Sequence, residues 1–434
     1  MRFYNREKEL AKLDQLEHSS KDSSKMTVLV GRRRIGKTKL IKEAHPSQIY
    51  FFVSRKSETL LCEEFVSIIQ DQLNIKVHGR FEKFPVLFEY LMELTKTTPF
   101  TLIIDEFQEF LSINPSVYSE LQNIWDNYKD TTKMNLILCG SIYSLMKKIF
   151  EDKKEPLFGR ADLKIYLKPF SIVTLKEILE ENYPAYTSDD LLSFYILTGG
   201  VAKYVELFIN NQAFTLESQL DLIFDDFSML LDEGKNLLIE EFGKDYTTYF
   251  SILALIASSK TSRPEIESIL EKNAGGHLDR LEKEYTIIKK VRPIFSKEGG
   301  RIIKYEITDN FFNFWFRFIY KHRSAIEIEN FDYVKNIIKR DYTTFSGPFL
   351  EKYFREKLKL SNEFTLIGNY WEKGNQNEID IVAVNDEHKT ILIAEVKRNK
   401  NRISLEQLES KSKKLLDRKK GYTASFIAYS LDDV

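Results

Sequence analysis

The stretch MTVLVGRRRIGKT, residues 26–38, decides the fold. Its first five residues form a short apolar run of the buried-strand kind. Gly31-Arg32-Arg33-Arg34-Ile35-Gly36-Lys37-Thr38 then fits G-x-x-x-x-G-K-[ST] in full, and residues 39–43 continue as a helix. A strand before and a helix after is the context this motif requires. The glycines let the backbone bend until its N–H groups converge on phosphate oxygens at a helix N-terminus. Gly31, Arg34, Ile35, Gly36, Lys37, Thr38 and Lys39 are the candidate phosphate-binding residues. In such a loop the lysine reaches the β- and γ-phosphates and the threonine hydroxyl ligates Mg²⁺.

Working outward, the second half of a site of this kind is an apolar strand that ends in an acid. TLIIDE, residues 101–106, supplies it. Asp105 is expected to hold Mg²⁺ through water, and Glu106 to polarise the attacking water as general base. This run, from residue 100 to 104, is joined by others at residues 49–53, 134–139 and 163–167, separated by helical stretches such as 58–73 and 84–95. Strands alternating with helices predict βαβ units and a parallel sheet.

These pieces together resemble the AAA+/STAND-type P-loop ATPases of the archaeal ATPase family, which also occur in bacteria. The resemblance covers residues 2–238. NREKEL, residues 5–10, is similar to the family's N-terminal entry, which implies that Asn5 and Arg6 shape the adenine pocket. Cys139-Gly140-Ser141 ends a strand where the family carries a polar sensor, which implies that Ser141 watches the γ-phosphate. Phe158-Gly159-Arg160 resembles the segment bearing the family's arginine finger, and Thr198-Gly199-Gly200 the glycine pair of its helical lid. Other readings stay open from the residues alone. Arg6 can pair with a neighbouring carboxylate, Ser141 can be an ordinary strand-end polar residue, and Arg160 can brace the fifth strand. An Arg160 that acts in trans implies a homo-oligomer.

The whole chain has 434 residues, 30% charged and 43% hydrophobic, with a formal net charge of −1. That length predicts about two to four domains, and the composition is that of globular proteins. No apolar run reaches the roughly 18–20 residues of a membrane span, and no apolar core follows Met1, so no signal peptide is expected. Two cysteines, Cys62 and Cys139, make neither a disulfide framework nor a four-ligand zinc site. The expected setting is the reducing cytoplasm, and near-zero net charge by itself argues mildly against nucleic acid.

After a helical segment from Ser171, an acidic stretch at residues 221–241 carries Asp225, Asp226, Asp232, Glu233, Glu240 and Glu241. It reads as a solvated connecting helix or linker. Residues 246–320 then give helix, helix, turn, helix and two strand-like runs, at 287–295 and 301–307, joined by Lys297-Glu298-Gly299-Gly300. That order resembles the winged helix that follows the ATPase in this family. Its candidate recognition helix, residues 276–285, mixes Arg280 and Lys283 with Asp279, Glu282 and Glu284. The wing is more basic, with Lys289, Lys290, Arg292, Lys297 and Arg301. DNA contact and protein docking both remain open. The aromatic run FFNFWFRFIY, residues 311–320, is expected to pack the unit onto a neighbour.

The last segment reads as strands at 364–368, 378–384, 390–396 and 424–429 around a helix from Ser404. Residues two apart on a strand share a face, so Glu395 and Lys397 point the same way, with Asp380 on the adjoining strand. Two carboxylates and a lysine at a strand end make a divalent-metal site, or else a surface hairpin with internal ion pairs. The pattern resembles the PD-(D/E)xK nuclease superfamily, over residues 345–434. The resemblance implies metal ligation by Asp380, Glu395 and an upstream helix residue, Glu351, with Lys397 as the catalytic lysine. Gln407 falls where members place a polar residue toward DNA, and Glu378 stands in the nominal proline region. Whether catalysis is retained stays open. After Lys397 the chain is strongly basic, which suits a phosphate backbone.

The sequence thus predicts an α/β multidomain protein. Residues 1–170 are a P-loop core, 171–240 a helical lid with the acidic connector, 241–325 a winged helix, and 326–434 a restriction-endonuclease-like α/β domain. ATP and Mg²⁺ are the expected cofactors, with a further Mg²⁺ or Mn²⁺ in the last domain and DNA as the expected partner. The alternative is a nucleotide-switched regulator or scaffold whose nuclease-like domain is inactive and binds DNA or a protein.

Overall fold

The structure, a computed structural model, describes residues 2–243, 246–297, 299–300 and 302–434. It divides into two compact units, Arg2–Pro169 and Phe170–Val434. No helix among the described residues is long and apolar enough to cross a membrane.

The first unit is built on β1 (Lys25–Val30), β2 (Gln48–Phe52), β3 (Phe100–Asp105), β4 (Met134–Gly140) and β5 (Leu163–Tyr166). They lie in the order β2-β3-β4-β1-β5, all parallel. A parallel sheet covered on both faces buries alternate side chains in both directions, which is why its strands read as continuous apolar runs. Every residue of β4 is buried. The helices are α1 (Glu7–Ser20), α2 (Lys37–Ala44), α3 (Glu58–Leu73), α4 (Phe84–Leu94), α5 (Phe110–Ile113), α6 (Val117–Tyr128) and α7 (Tyr143–Glu151). Val28, Phe51, Leu102, Ile104 and Leu136 share one core with Phe65, Phe88, Leu121 and Met146 from α3, α4, α6 and α7. Phe51 and Phe65 stack at 4.2 Å, tying β2 to α3.

The second unit begins with α8 (Ile172–Asn182), α9 (Ser188–Thr198), α10 (Ala202–Asn210), α11 (Leu216–Ile223) and α12 (Leu230–Phe242). Thr187 caps α9 in a capping box with Asp190, and Gly199 ends it at φ 57°. The acidic stretch is not simply a solvated linker. Glu233, on α12, is 1% exposed and accepts a hydrogen bond from the Tyr204 hydroxyl at 2.5 Å. Gly234 lies so close to the Trp315 indole that a Cβ there would stand 2.3 Å from the ring. Asp225, Asp226, Asp232 and Glu240 are exposed, as expected.

Next come α13 (Tyr246–Ala257), α14 (Arg263–Leu270), α15 (Gly275–Lys283) and the antiparallel hairpin β6 (Ile288–Val291) and β7 (Lys304–Ile307). Ser262 and Glu265 form the capping box of α14. Glu298 and Arg301, part of the expected wing, lie outside the described residues. The aromatic run forms α16 (Asn310–Phe314) and a π-helical turn, Trp315–Tyr320; Phe311, Phe314, Trp315, Phe316 and Phe318 are all buried. This is the packing role expected of it.

After α17 (Arg323–Glu327), the 30-residue α18 (Phe331–Leu360) continues past Pro348 in its interior. The sheet beyond it contains β8 (Leu366–Tyr370), β9 (Ile379–Asn385), β10 (Thr390–Val396) and β11 (Thr423–Tyr429), in the order β11-β10-β9-β8. β8/β9 and β9/β10 pair antiparallel, whereas β10/β11 is parallel and crosses over through α19 (Leu405–Leu416). Ile391 and Ile393 pack against Leu408 and Leu415 of α19.

Candidate functional site

The P-loop leaves the C-terminal end of β1. Gly36 holds φ 99°, a left-handed conformation that costs glycine nothing, and α2 starts at the next residue. Arg34 is also left-handed, at φ 68°, and Ile35 is anchored at 2% exposure, while Arg34, Thr38 and Lys39 are exposed. Lys37 is buried and donates to the Gly31 carbonyl at 2.6 Å. Burial holds its pKa below the ordinary lysine value, although Glu106 and Asp105 nearby favour its charge.

Asp105 ends β3 beside this loop, two strands away from β1. Its Oδ1 accepts from the Glu106 backbone N–H at 2.9 Å and its Oδ2 from the Tyr50 hydroxyl at 2.5 Å. Burial and Asp105 push the pKa of this phenol up. Glu106 sits at φ 54° and turns its carboxylate toward β4. Its Oε2 accepts from Ser141 Oγ at 2.7 Å and from Gln108 Nε2 at 2.5 Å, and Arg33 approaches its Oε1 at 4.0 Å. Lys37, Thr38, Asp105, Glu106 and Ser141 therefore gather at the C-terminal ends of β1, β3 and β4, in the middle of the sheet. The hydroxyl of Thr38 and the carboxylate of Asp105 are hard oxygen donors of the type Mg²⁺ takes. The buried Gln108 Oε1, without a protein partner, lies against Gly140 at the end of β4. The donor set fits Mg²⁺ and a polyphosphate.

Three further expected residues, Asn5, Arg6 and Arg160, lie outside this group. Asn5, at φ 42°, is exposed; Arg6 is 7% exposed and donates to the Lys168 carbonyl at 2.7 Å and to Glu9 at 3.4 Å, so it ties α1 to the segment after β5. Arg160 lies at the opposite end of the strands from the P-loop. Its guanidinium pairs with Asp126 of α6 at 3.0 Å and bonds the Phe158 carbonyl. It flanks a cavity of about 400 Å³ shared with Ser24, Lys25 and Asp162 beside the start of β1. A six-residue strand is about 20 Å long, so Arg160 does not reach its own chain's loop.

A second cluster forms in the C-terminal sheet. Asp380 is buried and its Oδ2 accepts from the Val396 N–H at 2.8 Å. The Lys397 ammonium stands 3.2 Å from Asp380 Oδ2 and 3.4 Å from Glu395 Oε1. Glu395 also meets Lys411 of α19 at 3.5 Å. Glu351, on α18, lies close enough to Asp380 to feel its charge and pairs with Arg355 at 3.7 Å. Burial, then Asp380, push the Glu351 carboxyl up to about 8. Burial also raises Asp380, and it opposes the charge on Lys397, but Asp380 and Glu395 outweigh it there and raise the ammonium's pKa. The sheet thus brings Glu351, Asp380, Glu395 and Lys397 together. Among the described residues no group of three acidic, His or Cys side chains stands in closed metal-holding geometry. The ammonium of Lys397 supplies the positive charge between the two carboxylates. Gln407 is exposed at the start of α19, and Glu378 pairs with Lys304 of the hairpin at 2.8 Å.

The expected cationic surfaces are largely engaged. Lys290 pairs with both Asp279 and Glu282 of α15 at 2.7 Å, Lys289 with Glu306 at 3.0 Å, and Arg280 with Glu284 at 3.1 Å. Past the hairpin's first strand, Ile294 packs into the C-terminal core and its N–H bonds the Asn369 carbonyl at 2.8 Å. Lys289 and Lys290 of the expected wing are therefore engaged, whereas Arg292 and Lys297 are exposed. The terminal cations divide similarly. Arg398 pairs with Asp189, Lys414 with Glu372 and Lys419 with Asp386, whereas Arg402, Lys413, Arg418 and Lys420 are exposed.

Tyr50 and Arg355 were not singled out from sequence. A usable signal existed for Tyr50: a hydroxyl within an apolar strand run needs a partner.

A family described as an ATPase domain predominantly from Archaea matches residues 3–208, and one described as archaeal and bacterial proteins of unknown function matches residues 315–413. The uncharacterized protein MJECL04 of Methanocaldococcus jannaschii is 31% identical over 415 residues, which cover 91% of this chain and 87% of that protein. Another uncharacterized protein of that organism, MJ0424, is 42% identical over 55 residues, 13% of this chain and 53% of its own length. Among solved structures, the Walker-type ATPase PABY2304 of Pyrococcus abyssi superposes with a TM-score of 0.52 at 18% identity, covering 70% of this chain and 95% of that one. At that identity the likeness is one of fold.

Proposed function

The chain belongs to the archaeal-type P-loop ATPase family, and on that footing we propose that it binds ATP with Mg²⁺ and hydrolyses it at the C-terminal ends of the first unit's central strands. The observation that carries this reading is the convergence of Lys37, Asp105, Glu106 and Ser141 at the ends of neighbouring strands. Gly31, Arg34, Ile35, Gly36 and Lys39 frame the loop, with backbone N–H groups for the phosphates. Lys37 neutralises phosphate charge, and its buried, partly desolvated ammonium makes that interaction stronger than in water. Thr38 and Asp105 would hold Mg²⁺, which supplies charge neutralisation at the transferred phosphate. Glu106 orients the attacking water and accepts its proton; Ser141, bonded to Glu106, senses whether that carboxylate is engaged. Asn5 and Arg6 would border the base. Arg160 could serve only a neighbouring copy, after release from Asp126. Mg²⁺-dependent ATP turnover tests the assignment: Lys37→Ala should abolish it, and unchanged turnover in that variant would overturn the site.

The second unit is read as a lid, a winged-helix-like unit and a PD-(D/E)xK-like sheet that contacts DNA. The grouping of Glu351, Asp380, Glu395 and Lys397 supports a divalent-cation site with Lys397 steadying the attacking water or the transition-state charge. DNA contact is assigned to the exposed cations around α19 rather than to the wing. Incubation of plasmid and single-stranded DNA with Mg²⁺ or Mn²⁺ tests cleavage, with Asp380→Ala as control. A specific observation favours a second reading, a nucleotide-switched regulator with an inactive nuclease-like sheet: Lys397 and Lys411 already neutralise Asp380 and Glu395. Absence of cleavage in every nucleotide state would select that reading. DNA binding that does not weaken with salt, or no binding, would point instead to a protein partner.

A further inference from the structure

Tyr50 extends from β2 toward an acid assigned to the cation of the nucleotide site. β2 is the neighbour of β3, with Phe52 in register with Asp105, so Tyr50 stands two residues earlier on the adjacent strand. Its hydroxyl donates to Asp105 Oδ2 at 2.5 Å. That bond fixes the Asp105 carboxylate at both ends, since Oδ1 is already held by the Glu106 N–H at 2.9 Å. Partners of this kind, which bond a ligand rather than the ion, typically change metal affinity by about 10–100-fold.

We infer that Tyr50 is a positioning residue for the divalent cation of the nucleotide site, acting through Asp105. The inference rests on the Mg²⁺-nucleotide reading above.

Tyr50→Phe keeps the ring and removes only the hydroxyl. Manganese affinity, read by electron paramagnetic resonance of free Mn²⁺ in the presence of a non-hydrolysable ATP analogue, is expected to fall about 10–100-fold. Binding of the analogue in EDTA should stay within about 2-fold of wild type if Tyr50 acts on the cation alone. Combining Tyr50→Phe with Asp105→Asn should cost little more than Asp105→Asn by itself, because the two act through one carboxylate. Unchanged Mn²⁺ affinity, an equal loss of analogue binding in EDTA, or fully additive losses would each overturn the proposal. A wild-type protein that binds no analogue at all would overturn the nucleotide reading instead.

Discussion

Asp189 and Arg398, 209 residues apart in sequence, form an ion pair at 2.8 Å. Asp189 lies in the first turn of α9, the helix that ends at Gly199-Gly200, and Arg398 directly follows Lys397. Arg398 also donates to the buried Ser346 hydroxyl at 2.8 Å and lies 5.3 Å from the Tyr342 ring centre. Further along α9, the Tyr195 hydroxyl bonds Glu356 of α18 at 2.9 Å. The helix before the glycine pair and the strand end carrying the carboxylate cluster are thus fastened within one compact unit.

Removing that fastening should be measurable. Arg398→Ala is expected to destabilise the second unit by about 1–2 kcal/mol in chemical denaturation, allowing for the partial exposure of Asp189. Arg398→Lys should recover less than half, since an ammonium cannot serve Ser346 and Asp189 as a guanidinium fork does.

Gly234 provides a test of packing in which propensity points the other way. Alanine is the better helix former by about 1 kcal/mol, yet its Cβ would enter the Trp315 ring. Gly234→Ala should lower stability by a net of roughly 1–2 kcal/mol. Trp315 Nε1 donates to the Leu231 carbonyl, so tryptophan fluorescence should shift as that contact is displaced.

The Glu351 carboxyl gives a pH prediction for protein kept in EDTA. Its folded pKa of about 8 lies above the ordinary 4.5, so between those values the native state binds a proton that the unfolded chain has lost. Stability from this group is therefore full below about pH 4.5 and is lost as pH rises toward about 8. Glu351→Gln should flatten that decline and exceed wild-type stability above pH 8 by at least about 1 kcal/mol, read from denaturation midpoints across pH.

How far the sequence led differs by element. The strands of the first unit and the P-loop were legible because apolar runs and a glycine-framed motif are local signals. α3 begins and ends where its periodicity predicts. The role of α12 was hidden: Glu233 reads as one more surface acid until Tyr204, 29 residues away, is seen to bond it. Pro348 concealed the length of α18, although the helix that presents Glu351 passes through it. Charge counting over the hairpin and the tail overstated free cations, because the acids that pair with Lys290, Arg398 and Lys414 lie on other elements. Tyr50 was passed over since a strand run displays its residue types but not which neighbour a hydroxyl will meet.

The most direct test of the central claim is paired measurement of ATP binding and Mg²⁺-dependent ATP turnover in wild type and Glu106→Gln. Loss of the general base with the phosphate loop intact predicts ATP binding near the wild-type level and turnover reduced about 10²–10⁴-fold. Turnover that survives Glu106→Gln at the wild-type rate would contradict the account.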